Sequence, residues 1–270
     1  MSNAGSWGAI WQRKGDEVAA RDTLSLRDLM DANGFDAPTG GISPADWLLR
    51  AQGICTALEL TTRRTLATAH ANVDTEARAA SDAAPRARVL EVGCGAGAML
   101  AAIHQTMPFV ALAGADAASS LVAIARRALP DTPLEVAAAT ALPFEAATFD
   151  GVFAHSVFAY FPSLDYAAAA LHEMHRVARP SAHVYVLDVP DAATRQACES
   201  TRAALRGDAP DENPDGQRSH GPSHLYIPES WFADVAAALG RRVSFLRERV
   251  DSYPMSAFRY HALLSPSDSP

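Results

Sequence analysis

A chain of 270 residues, 49% of them hydrophobic, can bury a large core and form one substantial domain with an appendage, or at most two domains. Its net charge of −8 offers no basic field to attract phosphates, so nucleic acid and anionic membrane surfaces are set aside as main partners, and a small or neutral substrate is favoured. Three cysteines, Cys55, Cys94 and Cys198, show neither CxxC nor Cys/His ligand spacing, which argues against a disulfide framework or a structural zinc and fits a reducing cytoplasm.

The first residues, Met1 to Lys14, hold Trp7 and Trp11 but no apolar signal-peptide core, and no run approaches the roughly 18 apolar residues of a membrane span. A soluble, cytoplasmic protein is expected. Residues 1–84 read as a helical cap and linker: a polar start, the segment Ser25 to Met30, a turn at Asn33-Gly34, then a helix opened by Ser43 as N-cap, Pro44 at its first position and Asp46 in its first turn. Trp47, Leu48, Ile54 and Leu58 line one face of that helix. Asn72 to Pro85, rich in alanine and charge, reads as a loose connection.

From residue 85 onward strands and helices alternate. Strands are expected at Val89–Val92, Val110–Ala113, Leu134–Val136, Gly151–Phe153 and His183–Leu187. Helical spacing of apolar residues lies between them, as in Leu121, Ile124, Ala125 and Leu129 or Ala169, Ala170, Met174 and Val177. The tail adds a helix over Pro228–Leu239 and strands over Val243–Val250 and Phe258–Leu264. This order predicts a doubly wound α/β fold with a mostly parallel sheet and helices on both faces.

The most informative stretch is Val89-Leu90-Glu91-Val92-Gly93-Cys94-Gly95-Ala96-Gly97-Ala98, a strand entering a glycine-rich turn and then a helix from about Met99. Such glycines admit a ligand where a Cβ would collide, and the helix start offers unpaired N–H groups. Asp116 ends the second strand, where an acid accepts hydrogen bonds from both hydroxyls of a ribose. Taken alone, the loop also satisfies the dinucleotide fingerprint of a nicotinamide-dependent dehydrogenase. Glu91 separates the two readings: it puts an acid where a pyrophosphate would be repelled and the ammonium of an amino-acid-bearing cofactor attracted.

The run Val89 to Gly97 resembles motif I of class I methyltransferases, and Gly114-Ala115-Asp116 resembles the segment carrying their ribose-binding acid. Ala139-Thr140-Ala141-Leu142-Pro143-Phe144, followed by Phe149-Asp150-Gly151-Val152-Phe153, is similar to a block of the subgroup that contains the quinone-biosynthesis methyltransferases. Glu173 with Arg176-Val177-Ala178-Arg179-Pro180 resembles the helix and turn before their fifth strand. The resemblance covers about residues 86–190. It implies a seven-stranded Rossmann-like sheet with the last strand antiparallel, S-adenosylmethionine as cofactor with S-adenosylhomocysteine as product, no metal, and methyl transfer to O, N or C of a small molecule, of biosynthetic or secondary metabolism. By the resemblance, Gly93, Gly95 and Gly97, with Cys94, shape the methionine pocket and Glu91 faces the methionine end. Asp116, with Ala117, holds the ribose, and Ala139 and Thr140 lie against the adenine. The family usually has Asp where Ala138 stands, so the adenine amino group needs another partner, such as a backbone carbonyl. Ala138 also motivates a second reading, a chain that binds the cofactor as a sensor or partner subunit without transferring methyl. Pro180-Ser181-Ala182 replaces a usual Pro-Gly-Gly.

Three residues stand out for work on the acceptor. His155, just past the fourth strand, lies where open α/β sheets place ligands and is a candidate general base as well as a cofactor neighbour. His224 and Tyr226 follow the polar, proline-bearing insertion; the segment 208–227 is expected to act as a lid, and two residues spaced two apart point the same way if extended. His172 and His175 beside Glu173 have metal-compatible spacing but no third ligand, and read as a solvated helix face. An oligomer is possible; nothing in the sequence specifies one.

Overall fold

The computed structural model describes residues 3–19, 21, 23–35, 41–60, 87–206 and 223–267. The expected connection Asn72–Pro85 and residues 208–222 of the expected lid lie outside them. Among the described residues three helices come first: α1 (Asn3–Ala19), α2 (Leu26–Ala32) and α3 (Pro44–Ala57). Then follow β1 (Arg88–Val92), α4 (Ala98–Thr106), β2 (Ala111–Asp116), α5 (Ser119–Ala128), β3 (Leu134–Val136), β4 (Phe149–His155), α6 (Leu164–Val177) and β5 (Ala178–Pro190). The chain ends with α7 (Arg195–Arg206), α8 (Glu229–Ala238), β6 (Arg241–Leu246) and β7 (Arg259–Pro266).

The seven strands form one sheet in the order β3-β2-β1-β4-β5-β7-β6; β1 to β5 pair in parallel and β7 is antiparallel to both neighbours. This is the expected seven-stranded, mostly parallel Rossmann-like sheet with an antiparallel last strand. Alternation along each strand divides the core between two faces, so that Val89 packs with Trp47, Met99 and Leu121 whereas Leu90 packs with Phe149, Met174 and Phe232.

The N-terminal helices share the first of these cores: Val18, Met30, Trp47 and Ile54 are buried in the same cluster as Met99, Ile103 and Leu121. Ser43 accepts the Asp46 N–H at 3.1 Å and Pro44 opens α3, as the sequence predicts. In α2, Ser25 and Asp28 exchange the two hydrogen bonds of a capping box. The polar start is itself helical. It is stabilised through contacts on α5, where Ser120 Oγ donates to the Gln12 carbonyl at 2.8 Å.

Three elements depart from the sequence reading, one being the expected strand Val243–Val250, which is β6 and ends at Leu246. The helix α7 lies outside the sequence expectation: its residues segregate strongly into a polar and an apolar face, but the segment is polar on average and only Cys198 among its described side chains is fully buried. Pro180-Ser181-Ala182 lies within β5, where the pairing jumps from Phe149 with Ala178 to Gly151 with His183 and the extra residues bulge out.

Candidate active site

A cavity of about 230 Å³ opens at the C-terminal ends of β1, β2 and β4, where parallel sheets place ligands. Its floor is Glu91, Gly93, Gly95, Asp116 and Ala117; Ala137 and Ala139 form one side, and His155, Ser156 and Tyr160 the other. Trp7 and Trp11 of α1, with Asn33 and Phe35, close it from above.

The glycine loop is bent by its own backbone. The N–H groups of Gly93 and Cys94 both donate to the Ala115 carbonyl, at 2.7 and 3.1 Å, which anchors the loop to β2. Gly93 has φ 76°, and a methyl group there would collide with Val157 Cγ2, so only glycine serves. Asn33, where α2 ends, reaches into the loop: its Oδ1 accepts the Ala96 N–H at 2.7 Å and its Nδ2 donates to the Cys94 carbonyl at 3.3 Å. The N-terminal cap thus fixes the loop's shape directly.

Two acids face the cavity. Glu91 is 2% exposed, and one of its oxygens, Oε2, is buried with no hydrogen-bond partner. Burial, and then the nearby Asp116 charge, push its carboxyl well above the usual range, against a hydrogen bond from the Leu100 backbone. Asp116 accepts the Gly95 N–H on Oδ2 and the Ala118 N–H on Oδ1, each at 2.8 Å. Burial raises its pKa too, and these amides work against the rise.

The side bearing Ala137 and Ala139 is braced from α6. Glu173 Oε2 accepts the Leu142 N–H at 2.9 Å, while Arg176 donates to the carbonyls of Leu142 at 3.0 Å and Phe144 at 2.9 Å. The Glu173–Arg176 pair therefore holds the Leu-Pro-Phe turn in place, which accounts for the spacing of those two motifs.

Several predicted site residues stand off the cavity wall. The Cys94 sulfur packs against Gly114, Gly97 starts α4 from φ 81°, and Thr140 is not among the lining residues. His224 and Tyr226 do not converge on the cavity. The His224 ring packs on Trp7 and Tyr160, with centroids 4.9 and 5.5 Å away, and Arg202 Nη1 lies 2.8 Å from its ring nitrogens. Tyr226 is buried beneath α7, where its hydroxyl donates to Glu199 at 2.7 Å.

His155 does line the cavity, packed between Phe35 and Trp47. Its Nε2 lies 3.1 Å from Arg50 Nη1, and because a guanidinium only donates, that lone pair is occupied. Burial, with the Arg50 charge behind it, pushes its pKa down to about 3. The imidazole is neutral at pH 7 and a poor proton acceptor.

On the expected solvated face of α6, His172 is exposed, whereas His175 is half-buried and its Nδ1 accepts from Arg241 Nε at 2.7 Å. Among the described residues no three His, Cys, Asp or Glu side chains are grouped to hold a metal ion. None of the described helices is long and apolar enough to cross a membrane. Sequence reasoning passed over Asn33, Arg50, Ser156, Tyr253 and Asp188. The two tryptophans in an otherwise polar N-terminus were the available sign that this segment lines the cavity.

Residues 90–186 match the family model described as a methyltransferase domain. Over 115 residues the chain is 36% identical to a demethylmenaquinone methyltransferase of Thermus thermophilus, an alignment covering 41% of this chain and 50% of that protein. The chain thus spans about half the length of this curated relative. A crystal structure of a Pyrococcus horikoshii protein superposes with a TM-score of 0.50 at 17% identity, covering 68% of this chain and 84% of that one. A Haloferax volcanii complex between the Trm112 methyltransferase activator and a methyltransferase gives 0.50 at 15% identity, covering 82% of this chain and 96% of that one. At such identities the two structures speak to the fold alone. The sheet order and the glycine loop agree with the family match, so residues 90–186 resemble a methyltransferase domain set in a Rossmann-like sheet.

Proposed function

We propose that this chain transfers the methyl group of S-adenosylmethionine to a small-molecule acceptor. The observation that carries the reading is Glu91 Oε2, a buried carboxylate oxygen without a partner on the wall of a cavity whose floor is a glycine loop and whose next strand ends in Asp116. A buried charge in this condition is costly unless a cation completes it. The ammonium of an amino-acid-bearing nucleoside is such a cation, and a pyrophosphate is not.

In this reading Glu91 holds the ammonium, the Gly93–Gly95 backbone accommodates the methionine portion, Asp116 takes the ribose hydroxyls and Ala137 with Ala139 faces the adenine. Bound there, S-adenosylmethionine supplies an electrophilic methyl group on a sulfonium. The protein's own part is to align the acceptor and exclude water. Trp7 and Trp11 roof the cavity and Tyr160 walls it, an enclosure that favours a small acceptor.

Isothermal titration tests the cofactor assignment. Saturable one-to-one binding of S-adenosylmethionine and S-adenosylhomocysteine is expected, with none for NAD. Failure to bind either sulfur nucleoside, or a preference for NAD, would overturn it.

A further inference from the structure

Four non-glycine residues among those described have left-handed backbone, and two of them, Ser156 (φ 57°) and Asp188 (φ 60°), sit side by side. Ser156 follows β4 and Asp188 lies in β5, one step beyond the register pair of His155 and Leu187. Backbone strain of this kind persists only where the surroundings over-determine it, and it gathers at ligand clamps and active sites. Here it brings a hydroxyl and a carboxylate together at the cavity's edge: Ser156 Oγ donates to Asp188 Oδ2 at 2.7 Å, and Ser156 lines the cavity.

The direction of that hydrogen bond is fixed, since an ionised carboxylate only accepts. Tyr253 donates to the same oxygen at 3.0 Å, and His261 Nδ1 accepts the Asp188 N–H at 2.9 Å. Asp188 Oδ1 is buried without a partner, as are Nε and Nη1 of the buried Arg259. Burial raises the Asp188 pKa, but Arg259, His155 and Arg50, with the Ser156 hydrogen bond, hold the carboxyl below its usual range. Asp188 is therefore ionised, the Ser156 proton is committed to it, and with the Tyr160 hydroxyl also hydrogen-bonded to Ser156, the remaining lone pair of Oγ is what this end of the cavity offers a ligand. The neighbouring imidazole cannot compete, because Arg50 occupies its Nε2.

We infer that Ser156 and Asp188 form the seat of the acceptor's nucleophile, with Ser156 Oγ accepting a hydrogen bond from an acceptor hydroxyl, which makes this an oxygen-methylating site. The inference rests on the methyl-transfer reading above. As the hydroxyl oxygen takes the methyl carbon, the electron pair of the broken C–S bond stays on sulfur. The hydroxyl proton passes to Ser156 Oγ and the Ser156 proton to Asp188, so a sulfonium and a carboxylate become a neutral thioether and a neutral carboxyl. A weakly basic carboxylate suffices, because an oxygen carrying both a proton and a new methyl group is strongly acidic. A methylated ammonium would not release its proton to such a base.

The test uses the intact protein saturated with S-adenosylhomocysteine and reads phenol, anisole and aniline by ligand-detected NMR; aromatic probes suit a cavity walled by Trp7, Trp11 and Tyr160. Phenol is expected to bind at least fivefold more tightly than anisole and more tightly than aniline. In Ser156→Ala and Asp188→Asn the phenol preference should fall below twofold, with S-adenosylhomocysteine affinity within threefold of wild type. Phenol binding no better than anisole in the wild type, or no detectable binding of phenol, would overturn the seat, and this comparison needs no variant to fold. Aniline equal to or tighter than phenol would overturn the hydroxyl assignment. If S-adenosylhomocysteine itself fails to bind, the methyl-transfer reading is what fails.

Discussion

Replacing Glu91 with glutamine should move stability and affinity in opposite directions. The carboxylate is buried, its Oε2 lacks a partner, and its pKa is raised by burial and by Asp116. A group whose folded pKa lies above its unfolded value contributes stability that is complete below the unfolded pKa, near 4.5, and is lost as pH rises through the folded value. The ligand-free wild type therefore loses stability as pH climbs from about 4.5, and Glu91→Gln removes that loss while its side-chain carbonyl keeps the hydrogen bond from Leu100. Relief of one unsatisfied buried group is worth about 1–3 kcal/mol. For a chain of this size each kcal/mol moves Tm by roughly 2–4 °C, so the variant should melt several degrees higher at pH 8 and near the wild type at pH 4.5. Binding should suffer. A hydrogen bond to a charged group is worth about 1.5–3 kcal/mol, so Kd for S-adenosylhomocysteine should rise roughly 10- to 150-fold. Calorimetric melting at the two pH values, with titration of the ligand, gives both quantities. A variant less stable at pH 8 with unchanged affinity would show that Glu91 is a structural acid and refute the argument.

Asp116→Ala should weaken S-adenosylmethionine binding by about 1.5–3 kcal/mol through lost ribose contacts, and should also lower Tm, because the Gly95 and Ala118 amides lose their acceptor; an unchanged Kd by titration would place the ribose acid elsewhere. Asn33→Ala removes two hydrogen bonds to the glycine loop, each worth about 0.5–1.5 kcal/mol, so Tm should fall by a few degrees and cofactor affinity with it, whereas a loss confined to stability would uncouple the cap from the loop. His155, with its folded pKa pushed down to about 3, makes the fold lose stability as pH falls from about 6.5 toward 3, and its ring signals in NMR should not titrate between pH 8 and 5; a midpoint near 6 would contradict the Arg50 contact. Trp7→Ala should open the roof, with tryptophan fluorescence of the variant responding less to S-adenosylhomocysteine than that of the wild type; an identical response would mean that α1 does not meet the bound ligand.

The strands and most helices of residues 87–206 were legible in the chain itself because their signals are local. Four or five apolar residues stopping at a glycine, a serine followed by proline and aspartate, and apolar spacing of three and four each specify one element without reference to any other. The glycine loop with Glu91 and Asp116 was legible for a related reason: a positive φ and a close backbone approach demand glycine at fixed positions, and parallel strands bring their C-terminal ends together whatever fills the sheet. What the tertiary structure alone decided is everything that depends on which distant side chains meet. Asn33 enters the loop from 61 positions before Cys94, Arg50 occupies the lone pair that would have made His155 a base, and Tyr226 turns under α7 toward Glu199. Hydrogen-bond partners at such separations leave no period in the sequence, since a lone asparagine, arginine or serine takes its role from the neighbour that packing delivers. The Ser156–Asp188 pair is the clearest case: two ordinary polar residues 32 positions apart become a directed donor and acceptor only when adjacent strands set them in register.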